Sequence, residues 1–364
     1  MGDTPVQKPK KKRILYLSNI EVPYRVRFFN ELAKEYDLTV LYERVRSKNR
    51  NVEWSSGEKS TFNYSFLNGI KIGNENSFSP YILKYIKSDY DMIIVGCYNS
   101  PVQMFAILMM RLLKIPYLIN LDGEVFLTGK GLKTKLKKFF LSKAKGYLVA
   151  GEKAALSIKS AFAGENIYPY YFSSLSDNEI LEHSKASISS KRNDNVLVVG
   201  QYFDYKGLDV ALEAAKQDLS VKYLFVGTGL RTEKFMSDHL IPENVEIIPF
   251  LQKNELKEQY LSCGMMVLPS RQECWGLAVN EAASFGLPIV STWGCGAAVE
   301  FLSDEYSQYL AQSGDAKSLL KCIHRLRKDE NKKEYSEFLI SKSVCYSIEK
   351  SVEIHKKCLQ QEGN

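Results

Sequence analysis

The 364-residue sequence predicts an α/β protein of two parallel-sheet domains with a cleft between them. Three observations carry this. Short apolar runs alternate with segments of helical period along most of the chain, the pattern of a parallel sheet covered by helices on both faces. The alternation stops once, in the polar, Ser-rich stretch 173–195, and then restarts. The chain is also longer than one core of roughly 100–200 residues would need.

In the first half, RILYLS (13–18) reads as a buried strand, YRVRFFNELAKEY (24–36) as a helix and DLTVLYE (37–43) as the next strand. DMIIVG (91–96), PYLINL (116–121) and GYLVAG (146–151) are further strands, with helical stretches between them. In the second half, strands are expected at NVLVVG (195–200), KYLFVG (222–227), VEIIPF (245–250), GMMVLPS (264–270) and PIVST (288–292). Helices are expected over 207–217, 231–240, 254–262 and 277–285, and 315–362 reads as helical throughout. The domains follow as 1–172, a linker over 173–194, a second domain over 195–345, and a terminal helix, 346–364, able to pack back on the first domain.

A composition of 45% hydrophobic and 25% charged residues excludes wholesale disorder. The net charge of +7 is concentrated in KPKKKR (8–13) and GLKTKLKKFFLSKAK (131–145). Such clusters either form solvated surface or favour phosphates, nucleic acid or an anionic membrane. Seven cysteines without a CxxC pair argue for a reducing compartment and against a metal framework. The polar N-terminus has no apolar signal region, and no uncharged run approaches the ~20 residues of a membrane span. A cytoplasmic protein, soluble or peripherally bound, is the expectation.

In parallel α/β domains, ligands bind outside the carboxyl ends of the strands, so informative residues should follow strands. After NVLVVG come Lys206 and Gly207, at a turn into a helix. This is either a place for an anion or a plain helix start. After KYLFVG, Gly227 and Gly229 form a G-T-G turn, too little for a dinucleotide fingerprint, read as a turn lining the cleft. After GMMVLPS comes RQECWGLAVNEAASFGLP (271–288). Glu273 lies in the loop, able to swing over the helix that Gly276 starts; Glu281 falls about one turn inside. Amides near Gly276, Leu277 and Ala278 would lie between the two carboxylates. That suits a phosphorylated polyol, with amides for the anion and carboxylates for hydroxyls. The alternative is two glutamates stabilising helix ends.

VLVVGQYFDYKGLDVALEA, YLFVGTGL and PSRQECWGLAVNEAASFGLPIVSTWGCGAAVEFL together resemble the C-terminal domain of family-4 retaining glycosyltransferases, over about 100 residues. Glu273 and Glu281 match its E-x7-E signature. SNIEVPYRVRFFNELAKEYDLTVLYE is similar to the opening of members that build bacterial capsular and exopolysaccharides. The resemblance implies the GT-B fold, with two Rossmann-like, doubly wound parallel-sheet domains facing a cleft. The first would bind the acceptor and the second a nucleotide-sugar. Glu281 would hold the ribose and Glu273 the donor sugar near its anomeric carbon. Backbone amides of Trp275, Gly276 and Leu277 would hold sugar and diphosphate, Lys206 would neutralise the leaving diphosphate, and the loop at Phe250 and Leu251 would meet the base. Gln201 stands where the family usually has Arg. Asp122 and Glu124, in LINLDGE, stand where many members have His. Asp122 then either orients a donor hydroxyl or caps the next turn. Tyr24, Arg25 and Glu124 fall on the acceptor side.

The implied reaction is metal-independent sugar transfer with retention, from a UDP- or GDP-sugar to a saccharide or lipid-linked saccharide. The nucleotide-sugar is a substrate, and no cofactor and no nucleic-acid partner are expected. The DYD at 89–91 precedes the strand MIIVG and so lies at the end away from the ligand rim. In 131–145, Leu132, Leu136, Phe139 and Phe140 fall roughly on one helical side with Lys133, Lys135, Lys137 and Lys138 around them. That helix either lies on an anionic membrane or turns its apolar side to the core. Competing functions are a nucleotide-sugar epimerase or a glycosyl phosphorylase of the same fold. A non-catalytic protein binding nucleic acid or carbohydrate is the further alternative.

Overall fold

A computed structural model describes residues 11–44, 58–67, 69–72, 76–96, 98–123, 131–162, 166–227, 232–248 and 251–363. In chain order the first domain comprises β1 (Arg13–Ile20), α1 (Pro23–Ala33), β2 (Asp37–Arg44), β3 (Asn63–Phe66), β4 (Ile70–Ile72), β5 (Asn76–Phe78), α2 (Ile82–Ile86) and β6 (Met92–Val95). It continues with α3 (Pro101–Leu112), β7 (Tyr117–Leu121), α4 (Leu132–Leu141), β8 (Gly146–Ala150), α5 (Glu152–Ala161) and β9 (Ile167–Tyr170). After α6 (Asp177–Ile188), the second domain comprises β10 (Val196–Val199), α7 (Leu208–Gln217), β11 (Tyr223–Val226), α8 (Thr232–Asp238), β12 (Val245–Ile248), α9 (Lys253–Ser262), β13 (Met265–Leu268) and α10 (Leu277–Ser284). β14 (Ile289–Thr292), α11 (Gly296–Leu302), β15 (Leu310–Ala311), α12 (Ala316–Lys328), α13 (Lys332–Ser343) and α14 (Ile348–Glu362) complete it.

The first sheet has seven strands in the order β3-β2-β1-β6-β7-β8-β9, and the second has six in the order β12-β11-β10-β13-β14-β15. All pairings within both are parallel. The central strands are runs such as Met92–Val95 and Met265–Leu268, buried at every position, because helices cover both faces. Strand order reverses between β1 and β6 in one sheet and between β10 and β13 in the other. These switch points leave crevices at the carboxyl ends of the strands. β4 and β5 form a small antiparallel pair that the apolar pattern did not announce, β4 being exposed throughout.

One apolar cluster runs from the first sheet into the second, and another fills the far face of the first sheet. The chain crosses between the domains twice. The first crossing leads into α6, inside the segment read as a linker. Ser176 and Glu179 close a capping box there, which explains how so polar a stretch starts a helix. The second crossing leads into α14, which packs on α1, β8 and β9 of the first domain. Tyr168 donates to Glu362 at 2.7 Å, and Lys356 pairs with Glu35 at 2.9 Å.

α4 corrects part of the sequence reading. Leu132, Leu136 and Phe139 are 82%, 48% and 50% exposed, so the apolar side faces outward, not into the core. Phe140 stands at the inner edge of that stripe, about 40° round the helix from Leu136, and is buried with Leu141 against the first sheet. Lys133, Lys135 and Lys138 are exposed around the stripe, and Lys137 is half-buried. Among the described residues no helix is long and apolar enough to cross a membrane.

Candidate active site at the switch point of the second sheet

The loops after β10 and β13 flank the switch point of the second sheet and are stitched together. The Arg271 and Gln272 amides donate to the Tyr205 carbonyl at 2.8 and 3.3 Å. Arg271 grips Asp209 at the start of α7 with two bonds, 2.7 and 2.6 Å. This fork-on-carboxylate geometry holds both loops in one register. Neither residue was singled out from sequence; a paired charge 62 positions away carries no local signal.

The stitching brings Lys206 onto Glu273 as an ion pair, with the Ser270 hydroxyl donating to the other Glu273 oxygen at 2.7 Å. Both side chains are largely buried. Burial alone would favour a neutral amine, but the carboxylate outweighs it and the Lys206 pKa lies above its ordinary value. The Glu273 backbone beneath this pair is held in place. Its amide donates to Gly294 at 2.8 Å and its carbonyl accepts from Gly296 at 3.1 Å, so its backbone pairs like a strand beside Cys295.

Gly276 starts α10 with φ +108°, and a Cβ there would lie 2.8 Å from Cys295 Sγ and 3.5 Å from the Glu273 carboxyl carbon. Glycine alone allows the helix to begin so close to Glu273. The amides of Trp275, Gly276, Leu277 and Ala278 form no hydrogen bond among the described residues. They are the orphan donors of a helix N-terminus, beside a lysine–carboxylate pair. The Trp275 ring is core, not surface: Nε1 donates to Asn280 at 2.8 Å, and Asn280 donates to the Phe172 carbonyl at 3.0 Å.

Glu281 lies one turn further along α10 and accepts from the Tyr260 hydroxyl at 2.9 Å and from Ser174, on the domain crossing, at 3.3 Å. Burial pushes its pKa up despite those bonds. Sequence reasoning found Glu281 but neither partner. Gln201 is half-buried and Gly227 packs against Gly200. Leu251 packs on the core beside the rim. Gly229, Phe250 and Glu124 lie outside the described residues.

Opposite, the first domain presents Asp122 after β7. Its Oδ1 accepts from Arg25, from Asn120 at 3.2 Å and from Tyr170 at 2.9 Å. Arg25 is buried among Tyr16, Phe28 and Phe172, so it is Asp122 that stands at the rim. Burial opposes the guanidinium charge, but Asp122 holds its pKa above the ordinary value. Tyr24 packs edge-on against Phe172 at 5.6 Å. Asn120 also meets His355 of α14 at 2.9 Å, a residue the sequence reading did not place. The backbones of the two domains touch here: a Cβ on Gly123 would lie 1.9 Å from the Cys274 carbonyl. Asp122 and Glu273, each adjacent in sequence to that contact, thus flank the same cleft. Asp89 and Asp91 lie before β6, at the opposite edge of the sheet, where the Asp91 carboxylate accepts from the Arg13 amide. Among the described residues no group of three His, Cys, Asp or Glu side chains is placed to hold a metal.

Residues 179–338 match the family model described as glycosyl transferases group 1. This segment is thus similar to group 1 glycosyltransferase domains. It holds Lys206, Glu273, Gly276 and Glu281. The chain is 27% identical over 289 residues to an uncharacterized glycosyltransferase of Haemophilus influenzae, covering 76% of this chain and 78% of that one. It is 26% identical over 276 residues, 69% of this chain and 71% of the relative, to a Campylobacter jejuni protein. That relative is named N,N'-diacetylbacillosaminyl-diphospho-undecaprenol alpha-1,3-N-acetylgalactosaminyltransferase. A shorter match, 23% over 129 residues (33% and 36% of the two chains), is to the O-antigen biosynthesis glycosyltransferase WclY of Escherichia coli. Among solved structures, Anabaena HepE in complex with UDP and glucose superposes with a TM-score of 0.70 at 15% identity, covering 96% of this chain and 99% of that one. WaaG, a glycosyltransferase of lipopolysaccharide biosynthesis, gives 0.65 at 15%, over 95% and 99%. The two facing parallel-sheet domains are the GT-B fold of these glycosyltransferases.

Proposed function

We propose that this group 1 glycosyltransferase moves a sugar from a UDP- or GDP-sugar to a saccharide or lipid-linked saccharide acceptor. Transfer proceeds with retention at the anomeric carbon, without a metal ion, in cell-surface polysaccharide synthesis. The observation that carries this reading is the Lys206–Glu273 pair beside the amides of Trp275 to Ala278, which have no acceptor among the described residues. A departing diphosphate needs fixed positive charge and N–H donors at the moment its bond to sugar breaks. Lys206 and the start of α10 supply both. Glu273 stands next to them, suited to the positive charge that develops on the sugar. Glu281 accepts ribose hydroxyls. In the step, the bond from C1 to the phosphate oxygen breaks and the acceptor oxygen bonds C1 on the same face. The acceptor proton passes to the leaving phosphate. The Campylobacter relative, named for a diphospho-undecaprenol-linked saccharide, supports the lipid-linked acceptor class, and the Escherichia relative, named for O-antigen biosynthesis, supports polysaccharide synthesis.

Thermal unfolding with UDP, GDP, ADP and CMP, on wild type and Glu281→Ala, tests the donor site. A nucleotide at ~100 times its Kd stabilises the fold by about 2.7 kcal/mol. One nucleotide should stabilise wild type and not the variant. If none stabilises wild type, the reading fails.

The outward face of α4 extends the proposal to a peripheral position on the inner membrane face. Leu132, Leu136 and Phe139 insert among lipids while the surrounding lysines meet anionic headgroups. Replacing Lys133, Lys135, Lys137 and Lys138 by Gln should weaken binding to phosphatidylglycerol vesicles, at about 1 kcal/mol per charge. Unchanged binding removes the membrane from the proposal.

A further inference from the structure

Glu300, on α11 of the second domain, is buried, and its carboxylate is used outside that domain's core. Oε1 accepts from the Glu152 amide at 3.0 Å and from the Tyr346 hydroxyl at 3.0 Å; Oε2 accepts from the Lys153 amide at 3.1 Å. Glu152 and Lys153 are the first turn of α5, in the first domain. Their amides have no acceptor within their own helix, and the other domain supplies it. Tyr346 lies on the second crossing between domains. One carboxylate therefore ties together the second domain, the first domain and the crossing segment between α13 and α14. Lys153 adds a bond to Asp304, just after α11, at 2.7 Å.

The same point touches the donor loop. Gly151, with φ +84°, leads from β8 into α5, and a Cβ there would lie 2.9 Å from both Glu300 Oε2 and the Trp275 ring. Trp275 in turn packs on Phe172 at 6.1 Å and Tyr346 at 6.0 Å, one residue from each crossing. Its backbone leads directly into the amides of Gly276 and Leu277, which have no acceptor among the described residues.

We infer that Glu300 is a positioning residue that fixes the angle between the two domains at the hinge. It thereby sets where the Trp275–Gly276 turn stands relative to the first domain. The consequence for sugar transfer rests on the function proposed above; the hinge role does not. Nucleotide binding needs the second domain alone, whereas transfer needs both domains at one angle.

The test is Glu300→Ala and Glu300→Gln in the full chain, read by hydrogen exchange, UDP affinity and turnover. The Glu152 and Lys153 amides should exchange at least about tenfold faster in Glu300→Ala, with less change in Glu300→Gln, which keeps one acceptor oxygen. Turnover should fall about 10- to 100-fold, with UDP affinity within about twofold of wild type. Wild-type exchange at Glu152 and Lys153 would overturn the anchor, and so would an equal loss of UDP affinity and turnover. If Glu300→Ala fails to fold, Tyr346→Phe removes one of the three donors and should give the same split, smaller; no split there also overturns it. If none of UDP, GDP, ADP and CMP binds wild type, the proposed function fails, and hydrogen exchange still decides the anchor; if GDP binds instead of UDP, it replaces UDP in the affinity measurement.

Discussion

The two sheets are built alike, but their rims are finished in opposite ways. At the first rim, Asp122, Arg25, Asn120, Tyr16, Tyr170 and His355 bond one another in a closed, largely buried network. At the second rim, a lysine–glutamate pair stands beside a helix start whose amides have no acceptor among the described residues. Buried polar groups that satisfy one another hold a shape, while donors left over at a rim are there for something that arrives. On the function proposed above, the difference gives the chemistry of anions to the second domain and the rigidity of a platform to the first.

The largest expected effect breaks the second rim. Lys206→Met leaves the leaving group without its fixed cation. Transfer should fall about 10³-fold in kcat, by the scale of a lost charge-stabilising donor. Steady-state kinetics with the nucleotide-sugar identified by unfolding shifts measures it. At the first rim the same kind of change acts on stability. Arg25→Met leaves Asp122 facing neutral donors in a partly buried setting, at a cost of about 3 kcal/mol in urea unfolding. A large kinetic effect from Arg25 with unchanged stability, or the reverse for Lys206, would erase the contrast.

This contrast also marks what the sequence could tell. The central parallel strands were legible because a strand buried on both faces is an uninterrupted apolar run, as Val196–Val199 and Met265–Leu268 are, whereas the short edge strands β3, β9 and β15 were not. The E-x7-E pair and Lys206 were legible because each lies at a strand-to-helix turn marked by glycine. β4 was not, being an exposed strand with no apolar pattern. The α6 start was signalled by the spacing of Ser176 and Glu179, obscured by the polar composition around it. The first-rim network had no signal at all: His355 and Asn120 are 235 positions apart and meet only because α14 returns to the first sheet. Whether the apolar side of α4 faces the core or solvent was equally beyond periodicity, which shows a side but not what covers it.

His355 sharpens the comparison through pH. Its Nδ1 side meets the Ser351 carbonyl at 2.7 Å, and Arg25 and Asp122 are the charged groups nearby. Burial, aided by Arg25 and opposed by the Ser351 bond and Asp122, lowers its pKa to about 4 from 6.5. A depressed folded-state pKa means the unfolded chain binds the proton more tightly. The contribution is therefore complete above about pH 6.5 and is lost as pH falls from there through 4. A shift of that size corresponds to about 3 kcal/mol. Urea midpoints of wild type should fall more between pH 7 and pH 4.5 than those of His355→Gln. Parallel curves would remove His355 from the titrating groups that hold α14.

The smallest effect concerns Glu281, the second-rim carboxylate held by two neutral hydroxyls. Burial raises its pKa, while the Tyr260 and Ser174 bonds pull it down. Tyr260→Phe removes the stronger bond and leaves the ring stacked on Phe285, 5.6 Å away, so the fold should lose little. Nucleotide affinity should then fall about tenfold, the order of one hydrogen bond to a charged group. The direction with pH is the sharper readout. With one bond gone, the carboxylate keeps its proton to higher pH, and a protonated acid accepts ribose hydroxyls poorly. The acid limb of nucleotide affinity, measured by calorimetry, should therefore move up in pH in Tyr260→Phe. A limb that stays in place would mean that Glu281 does not meet the nucleotide as a carboxylate. Its bonds to Tyr260 and Ser174 would then tie α10 to the domain crossing as the first rim's network ties α14 to its sheet.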